Sequence, residues 1–223
     1  IPEVMMAVQL TGNGGPEKLS VRHDISVPEI GEDEVLLRVK TCGMNNTDIN
    51  TRVGWYSKSV TAATSSKGFG HIEDEQTWGG EKLSFPRIQG ADACGMVVDV
   101  GKNADAKLIG KRVLVDPCIR DPKSKNWRDN AKYLGSEIDG GFAQYCAVPV
   151  RNAYPVDSEM TDIELASFPC SWATAEHMLV RSRLGKGHTV VVTGASGGVG
   201  TALIQLAKLR EASVIAVTSL EKL

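Results

Sequence analysis

The chain has 223 residues, 42% of them hydrophobic and 23% charged, with 25 Lys and Arg against 27 Asp and Glu. That balance suits soluble globular protein long enough for two cores, and it excludes disordered and collagen-like chains. A net charge of -2 offers no positive footprint for phosphate backbones or anionic lipid, so neither nucleic acid nor a membrane surface is expected as partner.

From Met5 to about Tyr154 the sequence consists of short β-rich runs punctuated by Gly and Pro, predicting strands at 6–10, 19–22, 35–41, 95–100, 112–115 and 143–148. Strands so closely spaced, with turn signals between them, argue an all-β barrel or sandwich. Residues 34–40 alternate imperfectly but suit a half-buried strand. Residues 46–52 predict a short helix. Residues 56–85, rich in Ser, Thr, Gly and Lys around a Glu73-Asp74-Glu75 cluster, have little to bury and are expected as a loop. A second polar stretch at 121–132, around Trp127, is expected as an exposed lobe.

After Asp157 the pattern changes. Apolar residues take helical spacing over 161–179, a β-branched run covers 189–193, residues 201–208 are helical, and a second β run covers 213–217. Strand, glycine turn, helix and strand make one βαβ unit with a parallel sheet. The fold class is therefore α/β with an all-β part, divided at 1–158 and 159–223. One βαβ unit leaves its sheet edge and helix faces uncovered, so the chain is expected to be the N-terminal portion of a longer protein with a partial nucleotide-binding domain.

The apolar runs at 190–192 and 214–217 fall far short of a membrane span. Ile1 to Met6 lacks the features of a signal peptide, and the cytoplasm is the expected compartment. Cys42, Cys94, Cys118, Cys146 and Cys170 are scattered with no C-x-x-C pair, and are expected as reduced thiols.

Between the β run and the helix lies Gly194-Ala195-Ser196-Gly197-Gly198-Val199-Gly200. This is where a dinucleotide fingerprint belongs: Gly197 lets backbone approach the pyrophosphate, Gly200 permits close packing, and the helix N-terminus offers unpaired N–H groups. Ala195 replaces the first fingerprint glycine, with Gly194 just before it. An NAD enzyme places a carboxylate at the tip of the second strand; here the tip reads Val217-Thr218-Ser219. Thr218 would not repel a 2′-phosphate, and Ser219 and Lys222 can bond it, which favours NADPH over NADH. Glu221 opposes that reading. The plain alternative is an ordinary glycine-rich turn with Thr218 and Ser219 as turn residues.

Four further pieces, Cys42 to Asp48, Arg52 to Tyr56, Gly90 to Gly95 and Gly135 to Val148, taken in order with the fingerprint, resemble the medium-chain dehydrogenase/reductases. The resemblance implies a GroES-like β-barrel catalytic domain, a Rossmann coenzyme domain, an active site in the cleft between them and a homodimer in the intact protein. Zinc-type members hold their catalytic metal with a Cys, a His and a later Cys; Asn45 and Ala91 stand at the first two positions and only Cys170 matches the third. Of the four cysteines of the family's structural zinc lobe only Cys118 is present. The resemblance thus implies no bound metal, with Asp92 and Cys170 remaining as groups that could hold one weakly.

Without zinc the pattern looks like the quinone oxidoreductase and enoyl reductase branch. Asn45 and Tyr56 would then face the nicotinamide, Thr47 would match the family's proton-relay hydroxyl, and Thr174 would line the coenzyme cleft. The implied activity is NADPH-dependent reduction of a quinone, an activated C=C or a carbonyl of a small molecule. Each residue has a plainer role open to it: Asn45 capping the helix, Thr47 bonding backbone, Tyr56 starting the loop. His23, His71, His177 and His188 read as surface or core residues. A zinc-dependent alcohol dehydrogenase and a non-catalytic NADPH-binding sensor are the competing functions.

Overall fold

The computed structural model describes residues 1–57, 82–121, 123–124 and 131–222, arranged as two compact units, Ile1–Ser167 and Phe168–Leu223. Most of the expected 56–85 loop, with His71 and the acidic cluster, and Trp127 of the polar lobe lie outside the described residues.

The first unit carries strands β1 (Val4–Leu10), β2 (Leu19–Ser26), β3 (Glu34–Gly43), β4 (Arg87–Ile88), β5 (Asp92–Val100), β6 (Arg112–Val115), β7 (Cys118–Ile119), β8 (Lys132–Tyr133), β9 (Tyr145–Pro149) and β10 (Ala153–Pro155). Helix α1 (Asn46–Arg52) follows β3, and α2 (Asp162–Leu165) closes the unit. The strands form a sheet of order β10-β6-β5-β3-β9, a second of order β2-β1-β4 and a β7-β8 pair. Gln144 knits the two larger sheets: its N–H donates to the Met6 carbonyl at 3.0 Å and its carbonyl accepts from the Val39 N–H at 2.9 Å. This is the curled sheet of a GroES-like barrel.

β3 lies between β5 and β9, antiparallel to both. Its central position explains the imperfect alternation, because Val35, Leu36 and Leu37 are all buried and the register slips between Leu36 and Leu37. Val35 and Leu37 join Val97, Val113, Val115 and Val148 in the main core. All six strands expected in this half are present. β4, β7, β8 and β10 are two or three residues long, too short to leave a period in the sequence.

The second unit runs α3 (Pro169–Arg181), β11 (Thr189–Thr193), α4 (Gly198–Leu209) and β12 (Ser213–Val217). The two strands pair in parallel, Thr189 opposite Ser213 through Thr193 opposite Val217, which is the βαβ start of a Rossmann domain. α3 packs on α4, and the Arg210 guanidinium clasps the Glu176 carboxylate at their contact.

The apolar spacing over 161–179 predicts one helix, and there are two. Thr161 and Glu164 form a capping box at the start of α2, which ends at Leu165. Pro169 then opens α3 at its first turn. Proline has no N–H to donate, and its ring would clash with the carbonyl four residues back, so a continuous helix through 165–169 is excluded. α2 packs against β3 and β5, with Leu165 and Ala166 clustered on Cys94. The compact units accordingly divide after Ser167, nine residues beyond the boundary at 158. Among the described residues no helix is long and apolar enough to cross a membrane.

Candidate functional site

The turn from β3 into α1 carries the first group of candidate residues. Asn45 is the N-cap of α1, with φ -125° and ψ 167°. Its side-chain carbonyl accepts from the Asn46 N–H at 3.0 Å, and the Asp48 carboxylate accepts from the Asn45 N–H at 2.8 Å, a capping box in which each residue satisfies the other. The Asn45 amide also donates to Asp92 Oδ2 at 3.3 Å, across from the start of β5. Asn45 is therefore both the helix cap and part of a polar cluster. Nearby, the Tyr56 hydroxyl donates to Thr47 Oγ1 at 3.1 Å, so these two candidates share a proton-bearing contact.

Asp48 and Asp92 are buried beneath this surface. Asp48 Oδ1 accepts from the Gly90 N–H at 3.2 Å, and the Gln89 amide donates to the Asp48 carbonyl at 2.8 Å. Burial, reinforced by the nearby Asp92 charge, pushes the Asp48 carboxyl up to about 6, against the pull of the N–H bonds from Asn45 and Gly90. Gly90 has φ +102°, and a Cβ there would lie 2.7 Å from the Phe142 nitrogen and 2.8 Å from Cys42 Sγ, so only glycine brings this strand under the cap. Burial raises the Cys42 thiol too, and pushes Cys94 to about 11 and Cys146 to about 12. Such thiols are poor nucleophiles at neutral pH.

The second unit carries the glycine turn. Gly194 has φ +62°, and a Cβ on Gly200 would fall 2.4 Å from the Gly194 carbonyl and 2.8 Å from Ala195 Cα. Gly200 thus lets α4 seat directly on the turn leaving β11. Gly197 is the N-cap of α4 with no side-chain bond to the helix, and a Cβ there would meet nothing closer than 3.4 Å. An open, uncapped helix N-terminus of this kind fits a pyrophosphate. Gly198 serves the helix packing instead, since a Cβ there would lie 2.8 Å from Ser171 Oγ, where α3 crosses α4. Ala195 is buried and its N–H donates to the Val217 carbonyl at 3.1 Å, while Val199 is half-buried in the first turn of α4.

At the tip of β12 the Thr218 hydroxyl donates to Ser196 Oγ at 3.1 Å. Ser219 is exposed, and its carbonyl accepts from the Lys222 N–H at 3.0 Å in the turn Leu220–Lys222. Thr174 is half-buried on α3, and Cys170 lies in the first turn of that helix. Asn45, Thr47 and Tyr56 thus gather in the first unit, and Thr174 with the coenzyme candidates stands in the second.

Sequence reasoning missed Gln89, Ser171 and the Ser196–Thr218 pair, whose contacts join segments distant in sequence. The Asn45–Asp48 capping box was legible as a polar residue followed three places on by a carboxylate. The donor set near α1 does not fit catalytic zinc. Asn45 offers an amide already bonded to Asp92 and Ala91 is a buried methyl group, where zinc calls for thiolate or imidazole.

Residues 31–158 match the family model described as the alcohol dehydrogenase GroES-like domain. The chain is 28% identical over 221 residues to human quinone oxidoreductase, covering 99% of this chain and 54% of that protein. It is 27% identical over 218 residues to an NAD-dependent alcohol dehydrogenase of Sulfolobus acidocaldarius, covering 95% and 57%. A crystal structure of a Sinorhizobium meliloti 1021 protein assigned as an alcohol dehydrogenase shares 45% identity and a TM-score of 0.84, over 100% of this chain and 59% of that one. The chain spans about half the length of the curated relatives it matches.

Proposed function

The chain belongs to the alcohol dehydrogenase GroES-like family of the medium-chain dehydrogenase/reductase superfamily, and on that premise we propose that the protein is an NADPH-dependent reductase of a small quinone, activated alkene or carbonyl compound. The observation that carries this reading is the cluster at the start of α1, where an amide stands at a metal-ligand position and two hydrogen-bonded hydroxyls lie nearby. Reduction of such a substrate develops negative charge on oxygen, and directed N–H and O–H donors stabilise it without a metal. Quinone oxidoreductase among the relatives supports the same choice.

NADPH, when bound, supplies the hydride. Asp92 accepts from the Asn45 amide and the helix cap holds its carbonyl, so the orientation of the amide plane is set by the fold. The amide so oriented is the oxyanion donor. Thr47, which accepts the Tyr56 hydroxyl, passes its own proton to the reduced oxygen, Tyr56 replaces it, and Tyr56 recovers a proton from solvent, so that one solvent proton is consumed with each hydride. In the second unit Gly197 and the open N-terminus of α4 would hold the pyrophosphate, and Thr174 would contact the coenzyme from α3. Ser219 and Lys222 would bond the 2′-phosphate.

The coenzyme preference rests on the β12 tip, which lacks a carboxylate. It is expected to be roughly tenfold for NADPH, about 1.4 kcal/mol. Thr218→Asp should move it toward NADH, since the new carboxylate repels a phosphate and accepts ribose hydroxyls. Titration of the intact protein and this variant with both coenzymes checks the point: an unchanged ratio contradicts it. The relative named as NAD-dependent marks the alternative.

A further inference from the structure

Helix α1 carries Thr47 and leads the chain into Tyr56, yet it has only seven residues and is too short to hold its shape alone. Its first turn is closed by the Asn45–Asp48 box. Its last turn is closed from elsewhere, by the connection between β1 and β2. The Asn13 amide nitrogen donates to the Thr51 carbonyl at 3.0 Å and to the Arg52 carbonyl at 3.2 Å. The Gly14 N–H donates to the same Arg52 carbonyl at 2.9 Å, and the Arg52 guanidinium donates back to the Gly14 carbonyl at 2.7 Å. The last carbonyls of a helix have no partner within it, and here a segment 38 residues upstream supplies their donors. A backbone carbonyl only accepts, so the nitrogen end of the Asn13 amide is fixed toward the helix.

Thr51 lies one turn after Thr47 on the same face of α1 and is buried. Its carbonyl, held by Asn13, also accepts from the Gly54 N–H at 3.1 Å, and the Asn50 carbonyl accepts from the Trp55 N–H at 2.8 Å. Through this turn the chain leaves the helix and reaches Tyr56, whose hydroxyl is 3.1 Å from Thr47 Oγ1. The two hydroxyls of the proton route therefore stand before and after the clasped turn. Their contact depends on where the carbonyls of Thr51 and Arg52 sit. A shift of about 1 Å at that turn takes the hydroxyl pair out of hydrogen-bonding range.

We propose that Asn13 is a positioning residue for proton delivery: by clasping the last turn of α1 it keeps the Tyr56 hydroxyl on Thr47, with Arg52 completing the clasp from the helix side. Asn13 acts through the backbone of residues 51 and 52. The inference rests on the reading of Thr47 and Tyr56 as the proton route, and adds to it a residue from a connection that carries none of the candidate groups. Coenzyme binding does not pass through this clasp, so its loss should slow turnover at constant coenzyme affinity.

The test compares the intact wild type with Asn13→Ala, Asn13→Ser and Asn13→Asp, with Thr47→Val and Tyr56→Phe as references. The tyrosines, Tyr56, Tyr133, Tyr145 and Tyr154, are isotope-labelled at Cζ for NMR, and the resonance lost in Tyr56→Phe belongs to Tyr56. Asn13→Ala should move that resonance in the direction that Thr47→Val moves it and leave the others in place. In NADPH oxidation with benzoquinone and with cyclohexenone it should lower kcat by about tenfold and leave KM for NADPH within about twofold. Asn13→Ser keeps one donor and should recover part of both effects, and it reads the same quantities should Asn13→Ala not fold. Asn13→Asp has the same size but only acceptors to set against two carbonyls, and should do worse than Asn13→Ala. If the Tyr56 resonance stays in place in the Asn13 variants, or kcat and KM for NADPH change together, the inference is overturned while the proton route stands. If Thr47→Val and Tyr56→Phe turn over at the wild-type rate, the proton route fails first, and this inference with it.

Discussion

Asp48 is 6% exposed, yet it holds two backbone N–H groups and lies near a second buried carboxylate. Its carboxyl is raised from 3.8 to about 6, chiefly by burial. Between those values the unfolded chain ionises while the folded one keeps the proton, so this group's contribution to stability falls as pH rises through the window and is constant above it. The loss amounts to at most about 3 kcal/mol. Measured by urea unfolding at pH 4, 5, 6 and 7, the stability of the wild type relative to Asp48→Asn should fall from pH 4 to 6 and then level. A difference that does not change with pH contradicts the assignment. Asn45→Ala removes a cap and leaves Asp92 without its amide donor, and should cost about 1 to 3 kcal/mol in the same experiment. A loss well under about 1 kcal/mol would mean that Asn45 does not hold this turn. The residues here were legible one by one, since Asn45, Thr47 and Tyr56 stand out by type and spacing. Asp48 and Asp92 stand out in the same way as supporting carboxylates, but which groups they hold does not, because Asp92 and Gly90 reach Asn45 and Asp48 only through the pairing of β3 with β5.

Among the elements, the glycine turn separates two roles that a sequence motif runs together. Gly200→Ala places a methyl group 2.4 Å from a carbonyl oxygen and should destabilise the second unit by about 1 to 3 kcal/mol. Gly197→Ala meets nothing closer than 3.4 Å and keeps ordinary dihedrals, φ -81° and ψ 168°. It should cost less than about 1 kcal/mol in stability while weakening coenzyme binding by about tenfold or more, because the methyl group stands where the pyrophosphate approaches. Thermal unfolding and coenzyme titration of both variants decide this; equal stability losses would refute the distinction. The βαβ unit was readable because β11, α4 and β12 each carry an unbroken pattern. The helix spacing over 161–179 misleads because α2 and α3 keep similar apolar phases across a break that Pro169 alone marks.

For the molecule as a whole, the order of elements is enough to foresee a barrel followed by a nucleotide-binding unit, because the change from period two to period 3.6 is strong and the two cores are local. The position of the division is not legible in the same way, since α2 has a helix's pattern but buries its face on β3 and β5. If this fold carries hydride chemistry on hydrogen-bond donors rather than on a metal, its turnover must be indifferent to chelators. NADPH oxidation by the intact protein with a small quinone, followed before and after exhaustive chelation and again with zinc restored, reads this out. Turnover should survive chelation unchanged, and added zinc should not raise it. Activity lost on chelation and recovered with about one zinc per chain would show that a metal carries the chemistry after all.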